Sequence, residues 1–344
     1  MTRLAQTMPR PSASAARSLA PGLAMATLVA LAAQFLSEHY GAPAMLMALL
    51  LGISLNFLGE EERTRPGIRF GAQSVLRIGV ALLGARISVE LLMELGLPLI
   101  LLVVCGTFLT ILFGILLARV LNEDWQFGLL TAGSVAICGA SAAMAIGAIL
   151  PRDRVPEQRL IFTVLGVTLL STIAMIVYPI LASMLGLDTL HAGIFLGGTI
   201  HDVAQVVGAG FSISDETGDT ATLVKLIRVT MLAPVVLMGA IVVRRSGGAV
   251  SSDKRPPLMP MFVIGFLVLA AVNSLGWLPQ VASDAATLAS RWFLLIAIAA
   301  VGMKTSIKDV LQVGGVAISM IVAETLFIAL FILGGLEILH VGAS

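Results

Sequence analysis

The chain alternates long apolar runs with short polar stretches, which is the pattern of a protein that crosses a membrane many times. A helix needs about 20 mostly apolar residues to cross the hydrocarbon core. No long polar stretch separates the runs, so the pattern predicts an all-α polytopic membrane protein with one integral domain over residues 21–340. The eleven runs lie near 21–36, 43–58, 68–84, 96–118, 127–150, 159–186, 191–211, 220–243, 258–275, 288–303 and 313–338.

Two of these runs are interrupted by small and polar residues. The run 127–150 contains the Gly-, Ala- and Ser-rich stretch 132–141, and the run 191–211 contains the polar, glycine-containing stretch 197–210. Glycine destabilises a helix interior by about 1 kcal/mol relative to alanine, and broken helices occur at membrane depth only where protein or a water-filled cavity surrounds them. We therefore predict either nine full spans with two re-entrant segments, or eleven spans of which two are broken in the middle.

The Lys and Arg residues of the short loops bear on this choice, because cytoplasmic loops are enriched in them. Residues 1–20, predicted to be a disordered basic segment, and the basic loops 59–69 and 244–257 indicate a cytoplasmic N-terminus. A small-residue site near 30–32 leaves a cleaved signal peptide as the alternative. Simple alternation of eleven spans places the basic loop 151–159 outside. The conflict disappears if the first interrupted run enters and leaves from the cytoplasm and the second from the opposite face.

A short internal repeat indicates that the chain has two halves. Residues 83–92 align with residues 301–310, because each copy follows an apolar span and places a basic residue two positions after a glycine. The spans that lead into the two copies cross in opposite directions, which is the inverted-repeat plan of secondary transporters. We predict two inverted-topology halves divided near 187–190 or 244–257, although the motif is also typical of an ordinary helix end.

Composition supports the membrane assignment and narrows the function. Hydrophobic residues make up 58% of the chain and charged residues 12%, against about 25% charged in a typical soluble domain. The net charge of +1 gives no reason to expect a nucleic-acid partner. Cys105 and Cys138 lie inside apolar runs, which indicates neither a disulfide framework nor a metal cluster. No nucleotide-binding or zinc-binding motif occurs, so we expect no cofactor.

The polar residues of the second interrupted run are the strongest candidates for a site. Asp202 ranks first, because a carboxylate far from both ends of an apolar segment costs about 3 kcal/mol or more on insertion. It could bind a proton or Na⁺, or pair with a basic residue. His201 could relay protons, or simply bond a backbone carbonyl exposed by the break. Gln205 and Thr199 lie three residues either way from Asp202 and could complete a polar patch, while Glu324 is a second, weaker proton-site candidate.

The first interrupted run and two basic segments supply the remaining candidates. Gly139 and Ser141 lie where free N–H groups of a half-helix could bind an anion, although small residues also form helix-packing faces. Lys225 and Arg228 could form a cationic face for an anionic substrate or neutralise an acid, with snorkelling to the interface as the alternative. Arg77 lies nearer the middle of the third run, where snorkelling explains it less well.

Several of these stretches together resemble one family, the YeiH-type bacterial inner-membrane proteins, a group also named for sulfate export. The resemblance covers nearly the whole chain from about residue 20. It implies inverted repeats and two crossed, interrupted helices, as in the bile-acid and cation–proton antiporter-like carriers, and it supplies no site residues. The stretches that carry it are 41–43, 76–88, 136–142, 198–210 and 225–229.

The expected function is therefore secondary transport across the bacterial inner membrane, by an exporter or exchanger of a small anion. Sulfate or an organosulfur or carboxylate anion would move with, or in exchange for, H⁺ or Na⁺, and Na⁺ at Asp202 would be the only metal ion. A cation–proton antiporter is the first alternative. A membrane sensor or an intramembrane enzyme pairing Cys138 or Ser141 with His201 is the second, although we expect no enzyme. The expected partners are the lipid bilayer and the transported ions, with a homodimer left open.

Overall fold

The computed structural model describes residues 13–40, 42–86, 89–151, 154–245, 260–304 and 315–341. These residues form sixteen α-helices and one short π-helix, and no strand occurs among them. Six of the described helical segments are long and apolar enough to cross a membrane. The prediction of an all-α polytopic membrane protein is confirmed.

The chain divides into two compact units, and each is described by itself. The first contains residues up to Gly79 together with 291–306, and the second contains the rest. Two of the boundaries between these units fall inside helices, after Gly79 and before Arg291. The division into inverted halves near 187–190 or 244–257 stays a prediction. Most of the second repeat copy, residues 305–310, lies outside the described residues.

The first unit is built around the first long helix, which packs against the second and fourth. Its helices are α1 (Ala13–Tyr40), α2 (Ala44–Ser54), α3 (Phe57–Glu60), α4 (Arg65–Phe70), a π-helix (Gly71–Val75), the start of α5 (Leu76–Leu83) and the end of α15 (Gln280–Lys304). Gly22 and Gly67 lie where α1 and α4 cross, because a side chain on either would overlap the other helix. Residues 13–20 are helical although disorder was predicted for 1–20. An alanine-rich stretch extends an existing helix at little cost, since only nucleation is unfavourable.

The second unit contains both interrupted runs. Its helices are α6 (Val89–Val120), α7 (Trp125–Ala136), α8 (Ala140–Gly147), α9 (Glu157–Met184), α10 (Thr189–Thr199), α11 (Val203–Ile213), α12 (Asp215–Thr230), α13 (Leu232–Arg245), α14 (Met261–Ser274), the start of α15, and α16 (Gly315–Val341). The last helix, α16, packs against α6, α7, α9 and α10.

The first interrupted run is a re-entrant hairpin of α7 and α8, here called hairpin 1. Asp124, just before α7, forms an ion pair with Arg154, which follows α8; Oδ1 of Asp124 and Nη1 of Arg154 are 3.3 Å apart. The guanidinium of Arg159 lies 4.6 Å from the centre of the Phe127 ring, in the first turn of α7. Because the beginning and the end of the run touch each other, the chain enters and leaves at one end.

The second interrupted run forms hairpin 2 from α10 and α11. A Cβ atom placed on Gly193, in α10, would lie 3.2 Å from the carbonyl oxygen of Thr217, and so would one on Gly210, in α11. The two glycines stand on opposite sides of the break, seven residues before Ile200 and eight after Asp202. They can meet one residue of α12 only if the chain reverses at the break.

The two hairpins enter from opposite ends of one span, Asp215–Arg245, which comprises α12 and α13. Thr217 touches the open end of hairpin 2, and Gly239 touches Leu129 and Ile149 at the open end of hairpin 1. These two contacts are about 33 Å apart at 1.5 Å per residue, roughly a bilayer thickness. The alternative with two opposed re-entrant segments is therefore the observed one. The crossed helices implied by the resemblance are wrong, because half-helices of 8 to 12 residues turn back after crossing about half of the membrane.

Candidate functional site

The tips of the two hairpins are irregular backbone. At tip 1, Ile137 has φ −109° and ψ −82° and ends α7, and Gly139 has φ 59° and ψ −126° and begins α8. At tip 2, Ile200 and Asp202 are extended and separate α10 from α11. Helix ends leave carbonyl groups without intrahelical partners, and these need other donors when they are buried. Tip 1 is buried, and so are Ile200 and His201 of tip 2, whereas Asp202 is half-buried.

The guanidinium of Arg228, in α12, satisfies carbonyl groups of both tips. Its Nη2 donates to Val135 O at 2.8 Å and its Nε to Ala136 O at 2.8 Å. Its Nη1 donates to Gly197 O at 2.9 Å and to Ile200 O at 3.0 Å. Four of the five guanidinium N–H groups are therefore engaged by backbone, and one side chain joins the two hairpins.

Lys225, one turn earlier, repeats this arrangement. Its ammonium donates to Ile137 O at 2.7 Å and to Ile200 O at 2.9 Å. Both cations are fully buried, so the snorkelling alternative is wrong. They lie at the C-terminal ends of α7 and α10, where the helix dipoles favour positive charge. They can offset a substrate's charge through their potential, but each retains at most one N–H group for direct contact.

Asp202 lies against the tip of the opposite hairpin. Its backbone N–H donates to Ser171 Oγ of α9 at 3.0 Å, and its carboxylate makes no capping bond to its own helix, α11. A Cβ on Gly139 would lie 2.7 Å from Asp202 Cγ and would overlap Oδ1. The half-buried carboxylate thus sits where α8 and α11 both begin, and Ser141, in the first turn of α8, is exposed.

The neighbours of Asp202 behave differently from one another. Nε2 of His201 is 2.9 Å from Thr325 Oγ1 of α16. The Thr325 hydroxyl donates its single hydrogen to Ile321 O at 2.6 Å, so the histidine is the donor. The Thr199 hydroxyl bonds Phe195 O within its own helix, at 2.6 Å. The predicted shared face of Thr199 and Asp202 is wrong, because it required a helix that continues through the break.

Gln205 joins the site from α11. It is 3% exposed, and its Nε2 lies 3.5 Å from Thr172 Oγ1 of α9. Its Oε1 has no hydrogen-bond partner in the described part of the chain. Nδ1 of His201 also has no partner there, so these two side chains beside Asp202 have unused hydrogen-bonding capacity.

The hydroxyl groups that hold tip 2 were not predicted from the sequence, and one predicted site residue lies elsewhere. Tip 2 is supported from α9 by Ser171 and Thr172 and from α16 by Thr325. In the sequence, the only sign of this role is that Ser171 and Thr172 form a hydroxyl pair inside an apolar run, and that Thr325 follows Glu324 inside another. Arg77 belongs to the first unit, where it is exposed. The cluster described in the second unit is therefore built without it.

The cluster favours anion chemistry over metal chemistry. Lys225 and Arg228 carry two positive charges against the one negative charge of Asp202, and the N-termini of α8 and α11 add positive potential. The carbonyl groups that a metal ion could have used are bonded to these cations. Within the described ranges, no three His, Cys, Asp or Glu side chains form a group that could hold a metal ion.

Comparison with known proteins places this arrangement in a family. Residues 21–321 match the family model described as conserved hypothetical protein 698. The UPF0324 membrane protein TauZ of Paracoccus pantotrophus is 62% identical over 321 residues, which cover 93% of this chain and 95% of the relative.

Other relatives agree over similar lengths. A UPF0324 membrane protein of Rhizobium meliloti is 64% identical over 318 residues, covering 92% of each chain. One of Chlorobaculum tepidum is 50% identical over 315 residues, covering 91% of this chain and 88% of the relative. No solved structure is significantly similar. The YeiH-type resemblance is thus confirmed, and the chain belongs to the UPF0324 family of membrane proteins.

Proposed function

We propose that the chain is a secondary transporter of the bacterial inner membrane that exports or exchanges a small anion. Sulfate or an organosulfur or carboxylate anion is the substrate class, and H⁺ or Na⁺ is the coupling ion. The observation that carries the proposal is the meeting of two opposed hairpin tips at Lys225, Arg228 and Asp202, about halfway along a membrane span. In secondary transporters, substrate and ion sites lie at broken helices near the midplane.

The charges of the cluster explain why an anion needs a coupling cation. Lys225, Arg228 and the N-termini of α8 and α11 attract an anion. The Asp202 carboxylate repels it, by about 4 kcal/mol for unit charges 4 Å apart at an effective dielectric constant of 20. A proton or Na⁺ on Asp202 removes that repulsion, so anion binding and cation binding favour each other.

The basic residues at the open end of hairpin 1 support a cytoplasmic entry for this hairpin. Arg154 and Arg159 lie there, and α13, which touches this end at Gly239, finishes with Arg244 and Arg245. Cytoplasmic loops carry an excess of such residues. Hairpin 2 then opens to the periplasm, and the Lys/Arg bias of the early loops puts the N-terminus in the cytoplasm.

The alternatives have less support from the described contacts. A cation–proton antiporter needs oxygen ligands at the broken helices, and Lys225 and Arg228 already use those carbonyl groups. An intramembrane enzyme needs His201 to activate Cys138 or Ser141, whereas no hydrogen bond joins His201 to either residue among the described contacts, and Nδ1 of His201 has no partner there. We therefore propose a carrier and no enzymatic activity.

The experiment is anion flux in proteoliposomes that contain the purified full-length protein. Sulfate, a sulfonate and a carboxylate are tested as radiolabelled probes, with pH and Na⁺ gradients imposed in turn and the membrane potential clamped. We expect one probe to accumulate with one gradient and to raise the unfolding temperature of the protein, as binding to the folded state must. Asp202→Asn should remove the cation dependence, and Asp284→Asn, an exposed acid of α15, should not.

A Na⁺ gradient that moves protons without any anion would replace the proposal by the antiporter. If no probe moves or stabilises the protein, anion transport is the wrong function for this cluster. If Asp202→Asn transports with unchanged cation dependence, the assignment of Asp202 is wrong and the carrier proposal stands.

A further inference from the structure

A second acid, Glu324 of α16, lies inside the second unit apart from the hairpin tips. It is fully buried, in the middle of a helix that is apolar enough to span the membrane. An ionisable residue in such a place is costly and is usually functional. The cluster at the tips does not use this residue.

No cation pairs with Glu324 in the described ion pairs, and the helices packed on α16 offer few titratable groups. No Asp, Glu, Lys or Arg occurs at 95–118 of α6, in α7, at 160–184 of α9, or in α10. Those stretches carry only Cys105, Tyr178 and His191 as titratable side chains. At the hairpin tips, His201 bonds the neighbouring Thr325.

The basic residues nearest these stretches are occupied or at the surface. Lys225 and Arg228 are bonded to carbonyl oxygens. Arg119 is exposed at the end of α6, and Arg159, at the start of α9, pairs with Glu123 at 2.8 Å. A buried carboxylate without a counter-charge is very costly, and such a group neutralises instead. The carboxyl of Glu324 is therefore a neutral acid in this arrangement.

The hydrogen bonds of Glu324 fit a neutral acid. Its Oε1 is 2.7 Å from Thr131 Oγ1 of hairpin 1, and the same hydroxyl lies 3.2 Å from Phe127 O. A threonine hydroxyl has one hydrogen, so a protonated Glu324 can donate to Thr131 while Thr131 donates to the carbonyl. Gly114 of α6 makes room, because a side chain there would meet Oε1 at 2.5 Å. Oε2 has no partner in the described part of the chain.

Two adjacent residues of α16 thus contact the two hairpins. Glu324 bonds hairpin 1 through Thr131, and Thr325 bonds tip 2 through His201. A change in the position of the hairpins relative to α16 must break or remake both contacts. An acid at this place gains or loses its proton according to whether the hairpins have moved and water has reached it.

We propose that Glu324 is a second proton-coupling site of the carrier, in addition to Asp202 and away from the anion site at the hairpin tips, which makes H⁺ the coupling ion. This rests on the proposed transport function. When the hairpins shift relative to α16, the O–H bond of Glu324 breaks and its proton passes to water, leaving a carboxylate and a hydronium ion. The return of the proton from the other side restores the bond to Thr131.

The surroundings of both acids favour a proton over Na⁺. Carriers of this plan bind Na⁺ through unwound carbonyl groups and the C-terminal ends of half-helices. Here Lys225 and Arg228 occupy those groups at both tips. Glu324 has one hydroxyl neighbour, which suits a proton and is too few oxygens for a metal ion.

The first test is infrared difference spectroscopy of the full-length protein in lipid, which needs no substrate. The wild type should show the carbonyl stretch of a neutral carboxylic acid at neutral pH. Glu324→Gln should lack it, and Glu337→Gln, an exposed acid of the same helix, should keep it. Thr131→Val should shift the band without removing it. If the wild type lacks the band, or Glu324→Gln retains it in full, the proposal is overturned.

The second test measures proton movement, with an internal pH dye, while sulfate enters proteoliposomes. Glu324→Gln should still exchange labelled sulfate for sulfate, but it should move fewer protons per sulfate ion than the wild type, because only Asp202 is left to carry them. Normal proton movement in Glu324→Gln would refute the coupling role. If wild-type vesicles move no sulfate, repeat the measurement with the sulfonate and the carboxylate. Failure of all three contradicts the transport function, which separates that result from the spectroscopic one.

Discussion

The conservative substitution Arg228→Lys should destabilise the protein far more than its retained charge suggests. Arg228 donates to four carbonyl oxygens, which belong to the ends of α7 and α10. A lysine is a point donor on an unbranched stem and lacks the planar fork of arginine. A lysine has three N–H groups on one nitrogen and cannot serve all four oxygens; we expect it to bond two of them, as Lys225 does with one oxygen of each hairpin.

The magnitude follows from the carbonyl groups left unpaired. Ile200 O keeps Lys225 as a donor, so one or two of the other oxygens lose their partner. Each buried acceptor without a partner costs about 1–3 kcal/mol, which gives about 1–6 kcal/mol in total. Arg244→Lys, at the exposed end of α13, makes the same chemical change where no carbonyl groups depend on it. Surface substitutions of this kind usually fall within about 0.5 kcal/mol.

The assay combines thermal unfolding with thiol labelling at tip 1. Cys138 is 4% exposed and lies between the bonded carbonyl of Ile137 and Gly139. In a Cys105→Ser background, Arg228→Lys should unfold at a clearly lower temperature and expose Cys138 to maleimide, while Arg244→Lys should match the parent. If Arg228→Lys unfolds like Arg244→Lys and Cys138 stays unlabelled, the cations do not hold the tips together and the interpretation of the site fails.

Two further predictions concern the hairpins. Gly139→Ala should abolish transport and lower the unfolding temperature, because its Cβ overlaps the Asp202 carboxylate. Gly186→Ala is the control, because Gly186 also has a positive φ (67°) but an added Cβ there would meet nothing within 4 Å. It should show only the strain of a left-handed backbone, about 1–2 kcal/mol. Equal losses of stability and transport in the two variants would mean that the overlap with Asp202 is unimportant. Single cysteines at Asn122 and Arg154 should label from the same side of oriented vesicles, and labelling from opposite sides would contradict the re-entrant geometry of hairpin 1.

Much of this fold could be predicted from the sequence because the bilayer leaves few options. Apolar runs of sufficient length become helices, and only the two runs with glycine and polar interruptions were ambiguous. The basic loop 151–159 then favoured re-entry, and the ion pair of Asp124 with Arg154 agrees with it. The choice needed contacts between residues about 30 positions apart, which no local pattern contains.

The site was predicted less completely, for two physical reasons. Residues three apart lie on one face only if the helix is continuous, so the spacing predicted that Thr199 and Asp202 lie together. The helix breaks between them, and the Thr199 hydroxyl bonds Phe195 O of its own helix, α10. A basic residue in an apolar run also has two possible roles. Lys225 and Arg228 could bind a ligand or bond the backbone, and only the structure shows that they donate to carbonyl oxygens. The roles of Ser171 and Thr325 depend on packing between distant helices, and a hydroxyl in an apolar run is by itself too common to predict them.

The pairing of Lys225 and Arg228 with both tips also limits how the proposed carrier can move. Parting the tips would leave five carbonyl oxygens and two cations without partners in a medium of low dielectric constant, at several kcal/mol for each charge. An opening between the hairpins is therefore the most expensive motion available to this unit. The two hairpins and α12 should therefore move together as one rigid body, with the bound anion between them, relative to helices that stay in place.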